Sequence, residues 1–377
     1  MSENLGENEV PVRAEILSVN GTPIRQMISE TMRFVDGTLN HYRMAKWSSY
    51  FGLFLHTYFR MEPPWSVTFR HKGIESTKEI EGLNRGEFME ESGDRRAYSE
   101  SSFVADGEVI PVLELPSLSY GRREDFERFI DEFFKKHGDK RYLVIDLRQC
   151  PGGNGAWGYY VMDHLTNSPY KVGEISHRVS KPYRDLIRYW LHSQYQKKRI
   201  PRFMWWMPFY RITQRGSSYS KIYDNVFNAD IGTYTEVPVK YHQPRKFQER
   251  FEGRVFLLTS HRTFSAGVVF DSAFKYNKMG TVVGQETGGR IDFLSDPLFL
   301  ELPNSKLRAK IPVAILVLPG EDPDRGVIPD VKVEYSPEDY LNERDKDLEV
   351  VKELIIADSK AISARARLFR NSIGEGA

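Results

Sequence analysis

Cysteine is nearly missing from this chain. Cys150 is the single one in 377 residues, so neither an intrachain disulfide nor a thiolate zinc site can form. No stretch approaches the roughly 18 consecutive apolar residues of a membrane-spanning helix. The opening residues MSENLGENEVPVRAE lack the basic and apolar regions of a signal peptide. Charge of one sign is lacking as well: 53 Lys and Arg stand against 52 Asp and Glu, a net charge of +1. That balance gives no reason to expect nucleic acid or another acidic polymer as a partner. What is present is 40% hydrophobic residues, 13% of the chain being aromatic, which supports a buried core and excludes a disordered chain. The length allows two or three domains, or one large core with insertions.

Val12 to Val19 reads as a strand closed by the Asn20-Gly21 turn, with Thr22 and Pro23 as the N-cap and first residue of a helix to about Phe34. A second helix, about His41 to Arg60, ends before Pro63-Pro64, and short strands with polar turns follow to residue 105. The run Glu87 to Glu100 is charged and predicts a solvated segment. From Asp106 strands alternate with helices: strand 109–115, helix 122–136, strand 142–147, a Gly-rich turn with a helix to about Leu165, strand 254–258, a helix from Ser265 to Met279 and strand 282–284. This alternation predicts an α/β core around a largely parallel, buried sheet. A helix from about Asp345 to Ile356 and a frayed basic tail close the chain. Three regions result: 1–105, a core over 106–362 interrupted by an insertion at 171–250, and a tail at 363–377.

Within that insertion, residues 171–215 hold Lys171, Arg178, Lys181, Arg184, Arg188, Lys197, Lys198, Arg199, Arg202, Arg211 and Arg215 against only Glu174 and Asp185. Trp190, Trp205, Trp206, Phe209 and Tyr210 are interleaved. Two readings stand: a basic, aromatic surface for a peptide, an anionic lipid or a nucleic acid, or a helical insertion that packs its aromatics on the core and leaves its charges in water.

Two turns follow apolar strands and can expose backbone amides. In YLVIDLRQCPGGNG (142–155), Gly152-Gly153 before a helix can aim N–H groups at a developing anion. The same pair can also be only a tight turn, and the phosphate-loop spacing GxxxxGK[ST] is missing. In RVFLLTSHRTFSAG (254–267), Ser265 stands at a strand-to-helix junction beside Ala266 and Gly267. A serine there caps the helix, or is a nucleophile held at a helix N-terminus.

The order DLRQCPGG, TFSAGVVFDSAFKYNKMGTVVGQETGG, RGVIPDVKV and RDKDLEVVKELI resembles the S41 peptidases, the C-terminal processing (tail-specific) proteases and the tricorn core, over residues 108–360. The fragment EILSVNGTPI also resembles the last part of a PDZ-like module. The resemblance implies a core of crotonase-like (ClpP/crotonase-type) ββα units behind a partial PDZ-like module. It implies a serine-type peptidase acting on a peptide or unfolded protein, with no cofactor and no metal. Ser265 would be the nucleophile, and backbone amides at Gly152, Gly153 and Ala266 the oxyanion hole.

The family's bases are not in place. Arg290 stands where the processing proteases carry a lysine, 25 residues after the serine, and arginine does not deprotonate. Glu114, in VLELP, stands where tricorn-like members carry a histidine, and Pro323, between Asp322 and Asp324, where they carry a glutamate. Cys150 replaces the usual asparagine. His261, four residues before Ser265, is a further candidate base, while His41 and His56 read as packing residues. Catalysis therefore competes with two other expectations: a binding module that has lost its base, and a different acyl chemistry on a crotonase-type scaffold. Relatives commonly carry a segment ahead of the PDZ-like part, often with an export signal, so the expectation is a truncated or reduced form of a periplasmic or extracellular parent.

Overall fold

The computed structural model describes residues 10–82, 98–197, 225–237, 241–247 and 250–374. The chain forms two compact units, one of residues 1–170, 243–290 and 324–377, the other of residues 171–242 and 291–323.

The first unit begins with strand β1 (Glu15–Val19), and Asn20 and Gly21, both at positive φ, turn it into β2 (Thr22–Pro23). This is the two-residue hairpin turn that Asn-Gly favours. Helix α1 (Ile24–Thr31) follows, with Pro23 at the N-cap and no side-chain cap. Thr22 does not cap it as expected, because it pairs with Val19 in the hairpin. Helix α2 (Asn40–Thr57) buries Trp47, Phe54 and Leu55, and the Trp47 indole donates to Thr31 Oγ1 at 2.7 Å. Strands β3 (Trp65–His71) and β4 (Ile74–Ile80) complete a sheet of order β2-β1-β3-β4. Most of the charged run at 87–100 lies outside the described residues.

Strands β5 (Ser99–Ala105) and β6 (Glu108–Glu114) form an antiparallel pair. Helix α3 (Arg123–His137), β7 (Tyr142–Asp146) and helix α4 (Gly155–Asp163) follow. The chain then passes through β8 (Tyr170–Lys171), β9 (Glu174–Arg178), helix α5 (Lys181–Lys197), β10 (Tyr234–Val237) and β11 (Tyr241–His242). It returns as β12 (Arg254–Thr259), helix α6 (Ala266–Tyr276) and β13 (Thr281–Gly284). A long hairpin, β14 (Asp292–Glu301) and β15 (Arg308–Val317), precedes β16 (Val331–Lys332) and helices α7 (Pro337–Leu341) and α8 (Lys346–Gly374).

The core sheet has the order β16-β13-β12-β7-β6-β5. All its pairings are parallel except β5 with β6. Alternate residues of β7 and β12 face opposite sides and are buried on both, the reason these strands read as unbroken apolar runs. Val144, Phe256 and Leu258 pack with Val351 and Ile355 of α8. That helix continues to Gly374, well past the expected end at Ile356.

The second unit is built on an antiparallel sheet of order β10-β9-β15-β14. The expected helical insertion thus contains strands as well as α5. The β14–β15 hairpin joins it from a second excursion at 291–323 that the sequence reading leaves inside the core. Its apolar side chains do not alternate with burial, since Leu294, Phe299, Leu300 and Ile311 are all exposed. Trp205, Trp206, Phe209, Tyr210, Lys198, Arg199, Arg202, Arg211 and Arg215 lie outside the described residues, as do the side chains of Trp190 and Lys197. Among the described residues no helix is long and apolar enough to cross a membrane.

Candidate active site

Three strand-to-helix junctions of the core sheet lie at the C-terminal ends of parallel strands, where an open α/β sheet leaves backbone groups unpaired. The turn after β7 and the turn after β12 are bonded to each other. Phe264 N donates to Cys150 O at 2.9 Å. Thr263 Oγ1 donates to Leu147 O at 2.9 Å and Ser260 Oγ to Arg148 O at 2.6 Å. These bonds set Gly152 directly against Ser265. A Cβ at Gly152 would lie 2.7 Å from Ser265 Cβ, 3.0 Å from Phe264 O and 3.1 Å from Ala266 N, and the Gly152 φ is +116°. Only glycine fits there. Gly153, at φ +137°, makes the same kind of close approach to the Leu118 carbonyl and Ser119 N instead.

Ser265 occupies the N-cap position of α6 but does not cap it: its backbone has φ 51° and ψ −118°, and its side chain makes no capping hydrogen bond. The helix reading of this serine is thereby met only in position, not in chemistry. A non-glycine residue in that conformation is strained by about 1–3 kcal/mol. Such a turn resembles the strained elbow that presents a nucleophile above the end of a sheet. Ser265 is half-exposed while Ala266 is buried, and the positive end of the α6 dipole lies at this hydroxyl. Among the described residues the Ser265 hydroxyl has no hydrogen-bond partner, so none of the candidate bases touches it.

The positions of those candidates explain why. Glu114, at the end of β6, accepts from Ser99 Oγ at 2.6 Å and from Ser101 Oγ at 2.5 Å. Its two oxygens are thus held by strand β5. Arg290 forms an ion pair with Asp324, while Glu114 is bonded to Ser99 and Ser101. The His261 Nδ1 lies 3.0 Å from Glu286 O. Because a carbonyl oxygen only accepts, Nδ1 carries the proton and Nε2 keeps its lone pair. Burial lowers the pKa of His261, with a smaller push in the same direction from His41 and an opposing one from the Glu286 backbone contact.

His41 is one of the residues the sequence reading leaves among packing residues. Its ring lies 4.2 Å from that of His261, and its Nε2 lies 2.9 Å from Thr287 O. The neighbouring Tyr42 ring stacks on Phe264 at 4.3 Å, 6° from parallel. The start of α2 therefore braces the serine turn from outside, across more than 200 residues of sequence. Glu286 is in turn held by Arg325 and by Gly326 N at 2.9 Å. Burial raises the Glu286 pKa, but Arg325, the Gly326 amide and His41 outweigh it, and the net shift is downward. Nothing local in the sequence marks these partners, because each contact spans distant segments. His56 is exposed and pairs with Glu62 at 2.9 Å.

Beneath the turns, Arg148 binds Asp146 at 2.7 Å, Asp345 at 2.7 Å and Asp347 at 3.0 Å. It thereby ties the loop after β7 to the start of α8. Burial works against its charge, and the Asp146 and Asp345 carboxylates outweigh it, so the guanidinium stays protonated. Cys150 is buried, and desolvation pushes its thiol up to about 11, partly offset by the Gly152 and Leu118 backbone. That is a structural thiol, not an activated one.

A family model described as peptidase family S41 matches residues 110–333. Mature CPAF, solved in complex with lactacystin, superposes with a TM-score of 0.65 at 15% identity, covering 93% of this chain and 79% of that one. A second structure of mature CPAF gives 0.60 at 15% identity, covering 93% and 78%. A putative peptidase from Parabacteroides merdae matches at a TM-score of 0.44 and 15% identity, over 88% of each chain. No curated protein matches the chain by sequence.

Proposed function

Since the chain belongs to peptidase family S41, we propose that it is a serine-type peptidase acting on extended peptide or unfolded protein, with Ser265 as its nucleophile. The observation that carries this reading is the Ser265 backbone. It spends conformational energy to hold a hydroxyl at a helix N-terminus without using that hydroxyl as a cap. In the reaction the Ser265 Oγ attacks the scissile carbonyl, and the Oγ proton leaves to a base as the bond forms. The carbonyl oxygen becomes an oxyanion facing amides of the Gly152-Gly153 turn and of Ala266. Each such donor contributes roughly 3–4 kcal/mol to the transition state. Collapse of the tetrahedral intermediate expels the amine, which takes up the proton, and water then releases the acyl group.

Of the candidate bases, Arg290 cannot accept a proton and Glu114 is occupied by two serine hydroxyls. Among the described residues His261 is the one of these three that keeps an uncommitted nitrogen of the right tautomer, and hydrogen bonds at a site without substrate are often long. The core is read as crotonase-type ββα units, and the β2-β1-β3-β4 sheet with α1 and α2 as the partial PDZ-like module. A processing-type, tail-specific substrate preference is an expectation of the same reading.

One observation favours a second reading. The absence of any partner on the Ser265 hydroxyl, among the described residues, suits a peptide-binding homologue that has lost its base. Incubation with a fluorescein-labelled unfolded protein separates the two. A peptidase releases small fluorescent peptides, and Ser265→Ala stops the release while still binding the substrate. A binding module gives equal binding by both chains and no release by either.

A further inference from the structure

The β14–β15 hairpin is longer than the sheet that supports it. Strand β9 pairs with β15 only from Ala314 to Val317, while the hairpin ladder continues to Glu301 opposite Arg308. Leu298 and Val313 still pack with Tyr183. Beyond them every residue from Phe299 to Pro312 is exposed. The hairpin closes with Leu302 N donating to Leu307 O at 2.9 Å. It is thus a two-stranded arm with neither face covered by the described residues, a form that is marginal on its own in water.

The arm is apolar where a solvated arm would be polar. Phe299 is 69% exposed and Leu307 65%, with Leu300, Leu302 and Ile311 beside them. By the ladder register Leu300, Leu302, Leu307 and Ile311 share one face of the ribbon, an apolar surface and not the scatter of an ordinary exterior. Phe299 lies on the opposite face of the ribbon, with the cations Arg308 and Lys310. Glu301, the arm's single acid, pairs with Arg308 at 3.2 Å, and the Lys310 ammonium lies 5.6 Å from the Phe299 ring centroid. Lys306 sits in the turn itself. Over residues 299–312 the arm carries Lys306, Arg308 and Lys310 against Glu301 alone, a net charge of +2.

We infer that this arm docks the chain on an anionic lipid surface, with Phe299, Leu302 and Leu307 entering the headgroup region and Lys306 and Lys310 meeting lipid phosphates and carboxylates. Charge decides among occupants. A second copy would bring two arms of the same positive sign together. An anionic bilayer complements both the cations and the apolar tip, because interfacial binding adds apolar burial to electrostatic attraction. This inference is independent of whether Ser265 is a nucleophile.

The test uses the full chain in flotation with vesicles of phosphatidylcholine alone and of equimolar phosphatidylcholine and phosphatidylserine. The expected result is flotation with the mixed vesicles only, weakening as salt is raised. Phe299→Ser with Leu307→Ser, and separately Lys306→Glu with Lys310→Glu, each lower the partition coefficient by about tenfold or more. Leu307→Cys carrying an environment-sensitive fluorophore shifts to the blue on the mixed vesicles. Three results overturn the inference: no flotation with mixed vesicles, flotation unchanged in both double variants, or a concentration-dependent dimer that Phe299→Ser abolishes. Flotation by the double variants assigns lipid contact elsewhere, and the dimer assigns the arm to a second copy.

Discussion

Replacing Gly152 by alanine tests whether the two turns are as tightly joined as their hydrogen bonds imply. The added methyl would sit 2.7 Å from Ser265 Cβ, where ordinary contact needs at least about 3.4 Å, and its other near neighbours are backbone atoms that cannot swing away. The φ of +116° adds a conformational cost. Strain of that kind is worth about 1–3 kcal/mol, and overpacking another 1–3 kcal/mol. One backbone shift relieves part of both, so the expected loss is about 3 kcal/mol, not the full sum. Urea denaturation followed by far-UV circular dichroism reads it as a lower midpoint at unchanged slope. Gly155→Ala is the control: it lies in the first turn of α4, its nearest neighbour would be Tyr159 at 3.8 Å, and its φ is ordinary. It should leave stability unchanged or raise it by up to about 1 kcal/mol. If Gly152→Ala unfolds at the wild-type midpoint, the close approach on which the site is built does not exist.

Three further outcomes are expected. Ser265→Ala should cost less than about 0.5 kcal/mol because no cap is lost, and Ser265→Gly should gain about 1 kcal/mol from relief of strain; a loss of 1–2 kcal/mol in the alanine variant would restore the capping role. Arg148→Met should destabilise by about 3–5 kcal/mol, since it leaves Asp146 and the buried Asp347 without their cation, and a cost below about 1 kcal/mol in urea melts would mean the cluster is solvated. Asp271 of α6 is fully buried, neither oxygen makes a well-formed hydrogen bond among the described residues, and desolvation pushes its pKa up to about 7 despite Thr259 and Lys275. The folded state then holds a proton that the unfolded state releases above about pH 4, so this group's contribution falls as pH rises from about 4 to about 7 and is level above that. Asp271→Asn should therefore gain on wild type across that window in paired urea melts, and a pH-independent difference would show that the carboxyl is ionised in the fold.

How much was legible depends on the distance over which each feature is encoded. Strands β6, β7 and β12 were readable because burial on both faces leaves an apolar run with no competing pattern. The helix expected from Ser265 to Met279 runs from Ala266 to Tyr276. The motif order points to the family because four short phrases stand in its order along one chain, and the family model matches residues 110–333 of that stretch. Ser265 illustrates the limit: a serine before a helix reads as a cap, and only its φ and ψ show that the hydroxyl is left unused. The stacking of Tyr42 on Phe264 and of His41 on His261 was illegible, because each joins α2 to a turn far along the chain. The β14–β15 hairpin was missed for a physical reason, its exposed leucines and phenylalanine breaking the alternation that marks a half-buried strand.

The central claim is that Ser265 is a nucleophile, and labelling of the purified chain with a fluorophosphonate tests it most directly. The adduct is mapped by peptide mass spectrometry, with Ser265→Ala as control. The account predicts one adduct, on the peptide containing Ser265, lost on denaturation and missing from the alanine variant. A folded chain that takes no label at Ser265 contradicts it and leaves a binding module.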